Sequence, residues 1–378
     1  MSQYKYTPYF LLLLTFSLSF VCKAQSVEIG NTTFSHSILN VGAGESTISA
    51  FDFNSDGHQD IVVSNYSDNN IVAYQGNGEG DLTEVGQYPA GDNPTDISVS
   101  DINGDGHLDV AITNHETSHV TLLHGDGKGN FKNSPYSPFN IDVKPHPHVA
   151  QLKDLDGDSI VDLVVDNRTH EGLSVFKGLG DGKFEKESQL IDVGGDPYLG
   201  FASGDINGNG KLDLVAPNQQ EIAIALNTST DKQSFSLKKP IPFESSFAVG
   251  LADMTGDGTI DLIVASTGNS MAIMPGDDQG NFLKDKKASF NVTSGAKQVA
   301  TGDINGDGVD DALISNWSGE ILVVLGSKDT FETVTFKHPN IPNPWGIVIV
   351  DLNEDGKSDF IVASGGSKLA AVYLSQDK

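Results

Sequence analysis

The stretch from Asp101 to Asp109 reads DINGDGHLD. Oxygen-bearing side chains occupy positions 1, 3, 5 and 9 of this nonapeptide, and Gly106 at position 6 permits the positive φ of a tight turn. A strand-like segment precedes the stretch (ISVS, 97–100), and an apolar one follows it (VAI, 110–112). The pattern predicts two short β-strands joined by a tight loop whose side-chain oxygens converge on one centre.

The same nine-residue pattern occurs seven times, and successive copies start 48 to 53 residues apart. Because these near-equal steps fill the chain after its N-terminal segment, we expect a single domain over residues 25–378, with no second domain. The copies read DFNSDGHQD (52–60), DINGDGHLD (101–109), DLDGDSIVD (154–162), DINGNGKLD (205–213), DMTGDGTID (253–261), DINGDGVDD (303–311) and DLNEDGKSD (351–359).

Each repeat predicts four strands. An apolar strand follows the loop, a third strand comes after a polar turn, and a Gly-rich turn with an aromatic residue, as in GKGNF (127–131), leads to a more polar fourth strand. Four strands per period of about 50 residues are typical of a propeller blade. The predicted fold is therefore all-β, a seven-bladed β-propeller with four-stranded blades.

The two ends of the chain predict how the ring closes. After the last loop the sequence has only two more strands, whereas a strand with the missing character occurs near the N-terminus (TFSHSILNV, 33–41). We predict that this N-terminal strand completes the last blade, which would protect the strand edges of the ring.

With seven repeats in phase, the chain resembles the FG-GAP, or VCBS-repeat, propellers, a group that includes the propeller of integrin α subunits. The resemblance covers the chain from Thr33 to Leu374. It implies a calcium-binding propeller of the kind that acts as a binding or adhesion module.

The loops also supply the oxygen ligands that calcium prefers. Ca²⁺ binds six to eight oxygens at about 2.3–2.6 Å, and side chains at alternate loop positions can surround one ion. Positions 1, 3, 5 and 9 offer side chains and position 7 its backbone carbonyl, which predicts up to seven bound Ca²⁺ ions. The predicted ligands are Asp52, Asn54, Asp56, His58 and Asp60; Asp101, Asn103, Asp105, His107 and Asp109; Asp154, Asp156, Asp158, Ile160 and Asp162; Asp205, Asn207, Asn209, Lys211 and Asp213; Asp253, Thr255, Asp257, Thr259 and Asp261; Asp303, Asn305, Asp307, Val309 and Asp311; Asp351, Asn353, Asp355, Lys357 and Asp359.

The seven loops are not equivalent. The third has four carboxylates but carries Ser159 where the others have glycine, and Thr255 makes the fifth loop a poorer donor. The fourth has only two carboxylates, Asp205 and Asp213, so we expect the weakest affinity there. The alternative is that the loops are Asx-turns that need no metal. A terminal aspartate in all seven copies favours calcium.

The net charge of −28 excludes nucleic acid and anionic membrane surfaces as partners, because phosphate binding requires clustered lysine and arginine. Residues 1–24 predict a secretory signal peptide with an apolar core at 10–21 and cleavage after Ala24, and Cys22 offers a lipoprotein as the alternative. No other segment could span a bilayer. We expect a secreted, cell-surface or periplasmic protein, and a monomer.

A second candidate site lies at the other end of the predicted strands. The segments that enter the innermost strands and those that join the second and third strands should converge around the propeller axis, where ligand sites are common. Aromatic rings beside polar side chains suit a sugar, because rings can stack on its C–H faces. The candidate ligand-binding residues are His115, His146, His148, Arg168, Tyr198, Trp317 and Trp345.

Structural alternatives exist for these residues. A proline before a strand is mainly a rigid turn, and the asparagine that follows the second strand in five repeats is typical of turn chemistry. His146 and His148, two residues apart, could ligate a transition metal or act as acid and base. No cysteine, and no glutamate in the same segment, supports a zinc site.

Three functions stay open at this point. The leading one is a secreted binding or adhesion module for a glycan or a surface protein, since no Gly-x-Ser-x-Gly, His-Glu-x-x-His or phosphate-loop motif is present. The second is a carbohydrate-active enzyme such as a polysaccharide lyase, with His146, His148, Tyr198 and Arg168 as candidates. The third is a scaffold that contacts a partner through its rim. A fold alone does not choose among them.

Overall fold

The structure, a computed structural model, describes residues 26–376 except for 46, 142–145, 169–170, 198–199, 231–232 and 329. The predicted signal peptide therefore lies outside the described residues. The described part is all-β in a propeller arrangement, and its only helix is a single 3₁₀ turn, Lys284–Lys286. No helix within that part is long and apolar enough to cross a membrane.

The strands of the first half follow the predicted order, with one loop between the first and second strand of each repeat. In chain order they are β1 (Val27–Ile29), β2 (Thr32–Asn40), β3 (Ile48–Phe51), β4 (Asp60–Asn65), β5 (Asn70–Gly76), β6 (Leu82–Pro89), β7 (Pro94–Ser100), β8 (Asp109–Asn114), β9 (His119–Gly125), β10 (Phe131–Asn133), β11 (Phe139–Asn140), β12 (Ala150–Lys153), β13 (Asp162–Asn167), β14 (Gly172–Phe176), β15 (Gly178–Gly180), β16 (Lys183–Phe184) and β17 (Gln189–Asp192).

The second half continues the same order. Its strands are β18 (Ala202–Gly204), β19 (Asp213–Pro217), β20 (Gln219–Asn227), β21 (Phe235–Leu237), β22 (Ile241–Ala252), β23 (Asp261–Ser266), β24 (Ser270–Met274), β25 (Ala288–Asn291), β26 (Ala296–Gly302), β27 (Asp311–Asn316), β28 (Ile321–Leu325), β29 (Glu332–Phe336), β30 (Pro344–Val350), β31 (Asp359–Ser364) and β32 (Leu369–Gln376).

Five sheets of four or five strands form separate blades in the described part of the chain. The fourth and fifth repeats instead share one eight-stranded sheet, which differs from the predicted division into seven separate sheets. The reason is the long strand β22, whose first half pairs with β20 and whose second half pairs with β23. The outer strand of one repeat thus runs without interruption into the inner strand of the next.

The N-terminal strand closes the ring. Strand β2 pairs antiparallel with β32 from Thr33 opposite Gln376 to Asn40 opposite Leu369, which places it in one sheet with β30 and β31. This pairing confirms the closure that the sequence predicts. Phe34 of β2 is fully buried and packs on Phe360 with 5.1 Å between ring centroids, so the closing strand is held by side chains as well as by backbone bonds.

The hydrophobic core is divided among the interfaces between consecutive repeats. Between the fourth and fifth repeats, for example, Val215 and Ile224 pack with Leu262 and Val264. The second strand of each repeat is buried along its whole length, as in β4, β8, β13 and β27. These strands lack the alternation of a half-exposed sheet because neighbouring blades cover both of their faces.

The innermost strand of each repeat connects the two candidate sites. Strand β7 begins at Pro94, in the segment that approaches the axis, and ends at Ser100, directly before the loop that starts with Asp101. The loops and the axial segments therefore lie at opposite ends of the inner strands.

Replacing Phe34 by alanine tests the closure. We expect Phe34→Ala to lower the free energy of unfolding by about 3–5 kcal/mol, because it leaves a cavity in a buried contact between the two chain ends. Ile38→Ala is the matched control on the same strand: Ile38 is 38% exposed, and its loss should change the value by no more than about 0.5 kcal/mol. Urea denaturation followed by circular dichroism measures the free energy of unfolding of both variants. Equal losses would contradict the claim that side-chain packing of Phe34 holds the closing strand.

Candidate functional site

The last aspartate of each loop is fully buried and held from both sides by the backbone. In the first loop, Asp60 Oδ2 accepts a hydrogen bond from the Phe53 N–H (3.0 Å) and Oδ1 accepts one from the Gly76 N–H (2.9 Å). The carboxylate thus ties the loop to the end of the third strand of its own blade. Two such bonds recur at the other six terminal aspartates, except that the loop donor in the fifth loop is the N–H of Thr255, one position later. These residues are Asp109, Asp162, Asp213, Asp261, Asp311 and Asp359.

Burial raises the pKa of these terminal aspartates. It raises the pKa of Asp60 and Asp109 to about 6 and that of Asp311 to about 7, against backbone hydrogen bonds that lower it. The nearby carboxylates at positions 1 and 5 raise the pKa of Asp60 further. Each loop therefore concentrates negative charge at a place where water cannot screen it, and a bound cation would stabilise the ionised form.

The other loop carboxylates make the hydrogen bonds of Asx-turns. Asp101 Oδ1 accepts from the Gly104 and Asp105 N–H groups, and its Oδ2 accepts from the Gly106 N–H at 2.9 Å. These bonds do not exclude a metal, because each carboxylate oxygen has two lone pairs. The alternative of a metal-free turn and the prediction of a cation site are thus compatible with the same geometry.

In the third and seventh loops, a separate observation indicates that the oxygen ligands fit calcium. Asp156 Oδ1 and Asp351 Oδ1 are buried oxygens without a hydrogen-bond partner. In the third loop, carboxylate oxygens of Asp154, Asp156 and Asp162 lie within 4.8 Å of one another. Buried oxygens grouped in this way are the ligands of a hard cation such as Ca²⁺.

The third loop also contacts a cation that belongs to the chain. The Lys177 ammonium donates to Asp158 Oδ2 (2.9 Å) and to Asp156 Oδ2, and these carboxylates raise the pKa of the lysine. Ser159 takes a φ of 67° at the position where the other loops have glycine. The sequence pattern did not indicate the lysine, because β13 and β14 separate it from the loop along the chain.

At the opposite end of the inner strands lies a cavity of about 490 Å³, the axial cavity. Five of the seven predicted ligand-binding residues line it: His115, His146, His148, Trp317 and Trp345. They come from the segment before β12, the start of β30 and the turns after β8 and β27. The convergence of these two kinds of segment on one depression is the arrangement that the repeat predicts.

Three imidazoles form a cluster on one wall of the axial cavity. The ring centroid of His115 lies 3.6 Å from that of His146 and 4.8 Å from that of His148, and the two Nε2 atoms of His115 and His148 are 3.2 Å apart. Burial, together with the neighbouring imidazoles, lowers the pKa of His115 and lowers that of His146 to about 4. Their surroundings therefore favour the neutral form of both rings.

Two carboxylates lie behind this cluster. Glu116 Oε1 is 3.0 Å from His115 Nδ1, and Asp166 Oδ2 is 3.6 Å from His148 Nδ1. Asp166 Oδ1 also accepts hydrogen bonds from the backbone N–H groups of His148 and Val149. The Tyr66 hydroxyl, 3.4 Å from His115 Nδ1, completes this side of the cavity.

On another wall, a buried lysine lies beneath the two tryptophans. Lys297 is 1% exposed, and its ammonium lies 4.7 Å from the ring centroid of Trp317 and 4.9 Å from that of Trp345. It donates to the Pro344 carbonyl (2.8 Å) and to the Asn343 side chain, and burial lowers its pKa to about 8. The rings are perpendicular with centroids 5.3 Å apart, and Trp317 is 50% exposed.

The other two predicted residues are not among the described residues that line the cavity. Arg168 lies outside its lining and binds Asp196, with Nε 2.9 and 2.8 Å from the two carboxylate oxygens. Tyr198 lies outside the described residues. The asparagines that follow the second strands are buried turn residues, as in Asn218, whose amide donates to the Val193 carbonyl and whose oxygen accepts from Glu221 N–H. These asparagines therefore serve the turns, which is the structural alternative given above.

Sequence reasoning did not single out several residues of the cavity. Lys297 belongs to a segment that the repeat places at the axis, but nothing in the pattern indicates that it is buried between indoles. Glu45 and Asp96 also line the cavity, and burial raises the pKa of both carboxyls, that of Asp96 to about 7. Glu45 lies before the inner strand β3 and Asp96 near the start of the inner strand β7, and these positions are the only signal that could have identified them.

Comparison with known proteins supports the repeat assignment. A family model described as an FG-GAP-like repeat matches residues 52–112, 101–165, 154–216 and 253–314, which include six of the seven loops. A search of curated proteins found no match to the chain.

Solved structures of low sequence identity share the fold. BBS1N in a complex with ARL6DN is 12% identical with a TM-score of 0.61, over 89% of this chain and 93% of that chain. An Agrocybe aegerita lectin that recognises non-reducing terminal N-acetylglucosamine is 17% identical with a TM-score of 0.54, over 88% and 86%. A catalytically inactive virginiamycin B lyase from Staphylococcus aureus, with quinupristin, is 15% identical with a TM-score of 0.57, over 90% and 99%. At these identities the likeness concerns the fold alone.

The structural role of the terminal aspartates can be separated from metal binding. In EDTA, Asp311→Asn should lower the free energy of unfolding by about 1–3 kcal/mol, because the amide replaces one acceptor with a donor that faces a backbone N–H. Asp307→Asn, at an exposed position of the same loop, should change it by no more than about 0.5 kcal/mol under the same conditions. Chemical denaturation measures both values. An equal loss in the two variants would show that the buried bonds do not support the loop.

Proposed function

Because the chain belongs to the FG-GAP-like repeat family, we propose that it is an exported, calcium-stabilised β-propeller that binds a carbohydrate in its axial cavity. The observation that supports the ligand most strongly is the pair of perpendicular tryptophans, one of them half exposed, at a cavity lined with polar side chains. Export rests on the signal-like character of residues 1–24.

The propeller has seven blades in this proposal. The described residues form seven apolar clusters, and each lies between two consecutive repeats or between the last repeat and the first. A closed ring has as many interfaces as blades, so seven clusters support seven blades. The eight-stranded sheet then counts as two blades that share the continuous strand β22.

Calcium would occupy the loops at the face opposite the axial cavity. Side-chain oxygens at positions 1, 3, 5 and 9 would hold it, and the orphan oxygens of Asp156 and Asp351 support this in two loops. The fourth loop, with its neutral Asn207 and Asn209, would bind most weakly. In the third loop, Lys177 would have to move for the ion to enter. The bound ions supply positive charge that neutralises carboxylates gathered within each loop.

The chemistry of the axial cavity suits a sugar. An exposed indole such as that of Trp317 offers a flat apolar face for the C–H groups of a pyranose ring. Glu45, Asp96 and Gln298, which also line the cavity, offer acceptors and donors for hydroxyl groups. The similarly folded lectin recognises a terminal N-acetylglucosamine, which supports a glycan ligand at the level of the fold only.

One observation favours a second candidate, a polysaccharide lyase. The Tyr66 hydroxyl and the imidazoles of His115 and His148 lie side by side in the cavity, and such groups can remove and return a proton. Tyr66 rather than Tyr198 would then act with the histidines, and Arg168 would be unavailable because Asp196 binds it. Release of unsaturated sugars from acidic polysaccharides is the assay that separates this activity from binding alone.

Removing calcium should destabilise the protein. Each emptied loop would hold two to four neighbouring carboxylates without a counter-ion, and their repulsion favours the unfolded chain. We expect EDTA to lower the Tm by at least 10 °C, on the order of several kcal/mol spread over the loops, and excess Ca²⁺ to restore it. Differential scanning calorimetry with Mg²⁺ as the control ion measures the effect. A Tm that is the same in EDTA and in millimolar Ca²⁺ would contradict the calcium proposal.

Trp317→Ala should weaken carbohydrate binding. Loss of one stacking face costs roughly 1.4 kcal/mol or more, about a tenfold loss in affinity. Leu237→Ala is the matched control, because Leu237 is similarly exposed but lies outside the axial cavity. A glycan array in Ca²⁺ identifies a binding sugar, and titration calorimetry compares the variants. Equal affinities for that sugar in both variants would exclude the axial cavity as its site.

A further inference from the structure

We propose that His115, His146 and His148 bind one late first-row divalent transition-metal ion, with Zn²⁺ as the reference, at the wall of the axial cavity. This site is distinct from the calcium loops, which lie at the other end of the inner strands, and it does not depend on whether the cavity binds a carbohydrate. Its donors are imidazole nitrogens, which Zn²⁺, Ni²⁺, Co²⁺ and Cu²⁺ accept and Ca²⁺ does not.

The spacing of the nitrogens fits one metal ion. Zn–N bonds of about 2.0–2.1 Å in a tetrahedral site place two ligand nitrogens roughly 3.3 Å apart. The Nε2 atoms of His115 and His148 are 3.2 Å apart, and one nitrogen from each of the three histidines lies within 4.8 Å of the others. The third nitrogen would complete the site if the His146 ring moved toward the other two.

The surrounding carboxylates select the tautomers that a metal requires. Glu116 is a hydrogen-bond acceptor for His115 Nδ1, and the negative charge of Asp166 faces His148 Nδ1, so both carboxylates favour a proton on Nδ1. The Nε2 atoms of His115 and His148 lie 3.2 Å apart. A cation between them would be bound by both nitrogens, and the carboxylates behind these two histidines match the usual outer shell of a metal site.

The backbone holds the three rings in place before any ligand arrives. His148 and Val149 both donate their N–H groups to Asp166 Oδ1, which fixes the segment before β12 against β13. His146 has a φ of 144°, a conformation that favours glycine, and this conformation aims its ring at His115. Strained backbone at a cavity wall is typical of residues whose position serves a site.

The ion would keep a coordination position open toward the cavity. The three histidines lie on one side, and the axial cavity, which they line, lies on the other. Three protein ligands and a free fourth position distinguish ligand-binding or catalytic zinc from structural zinc. An oxygen of a bound molecule, such as a hydroxyl or carboxylate, is the chemistry that this position would accept.

Metal titration of the full mature chain, saturated with millimolar Ca²⁺, tests the proposal. We expect one Zn²⁺ per chain by calorimetry, and Co²⁺ should give the intense visible absorption of a four- or five-coordinate nitrogen site. His146→Gln should weaken Zn²⁺ binding more than 100-fold, and Glu116→Gln, which leaves all three ligands in place, about 10- to 100-fold. His119→Gln, a histidine outside the cluster, should leave the affinity unchanged.

Two results would overturn it. If Zn²⁺ binds with the same affinity to His146→Gln as to the wild type, the ion is held elsewhere, for example in the calcium loops. If the folded wild type shows no Zn²⁺ binding and only the weak absorption of hydrated Co²⁺, the two Nε2 atoms share a proton instead. The Co²⁺ spectrum of the wild type decides the matter even if a variant fails to fold.

Discussion

A buried carboxylate with two backbone donors is the constraint on which each blade depends. The terminal aspartate of every loop accepts one N–H from inside the loop and another from the end of the third strand, as Asp60 does with Phe53 and Gly76. These bonds fix the carboxylate in a poorly hydrated position, and burial raises the pKa of Asp60. Positive charge nearby would stabilise the ionised form of such a group, so the structural anchor and the proposed cation site belong together.

This constraint also explains why the two faces of the molecule differ. The loops repeat the same chemistry because they hold the strands, whereas the axial segments at the other strand ends are free to vary. One repeat places His146 and His148 there, another Lys297 and Trp317, and the next Trp345. The rigid inner strands bring these unlike side chains together, as expected when function lies on segments carried by a fixed scaffold.

Local repetition predicted much of this arrangement. The period of the loop indicated the propeller, the polar strand at 33–41 indicated the closure now seen between β2 and β32, and the segment order brought five of seven candidate residues to the axial cavity. The repeat pattern does not predict contacts between segments that are distant in the sequence. Asp196 removes Arg168 from the cavity, and Asp166 and Glu116 supply the carboxylates that the histidine segment itself lacks. The unbroken strand β22 was also missed, because no turn signal is needed where one strand serves two blades.

Occupancy of the loops is the most direct test of the account. A crystal structure at millimolar Ca²⁺, with anomalous scattering recorded at long wavelength, shows whether an ion lies at the centre of each loop. The account predicts peaks within about 2.3–2.6 Å of oxygens at positions 1, 3, 5, 7 and 9, weakest in the loop of Asn207 and Asn209. Seven empty loops, held only by their own hydrogen bonds, would contradict it.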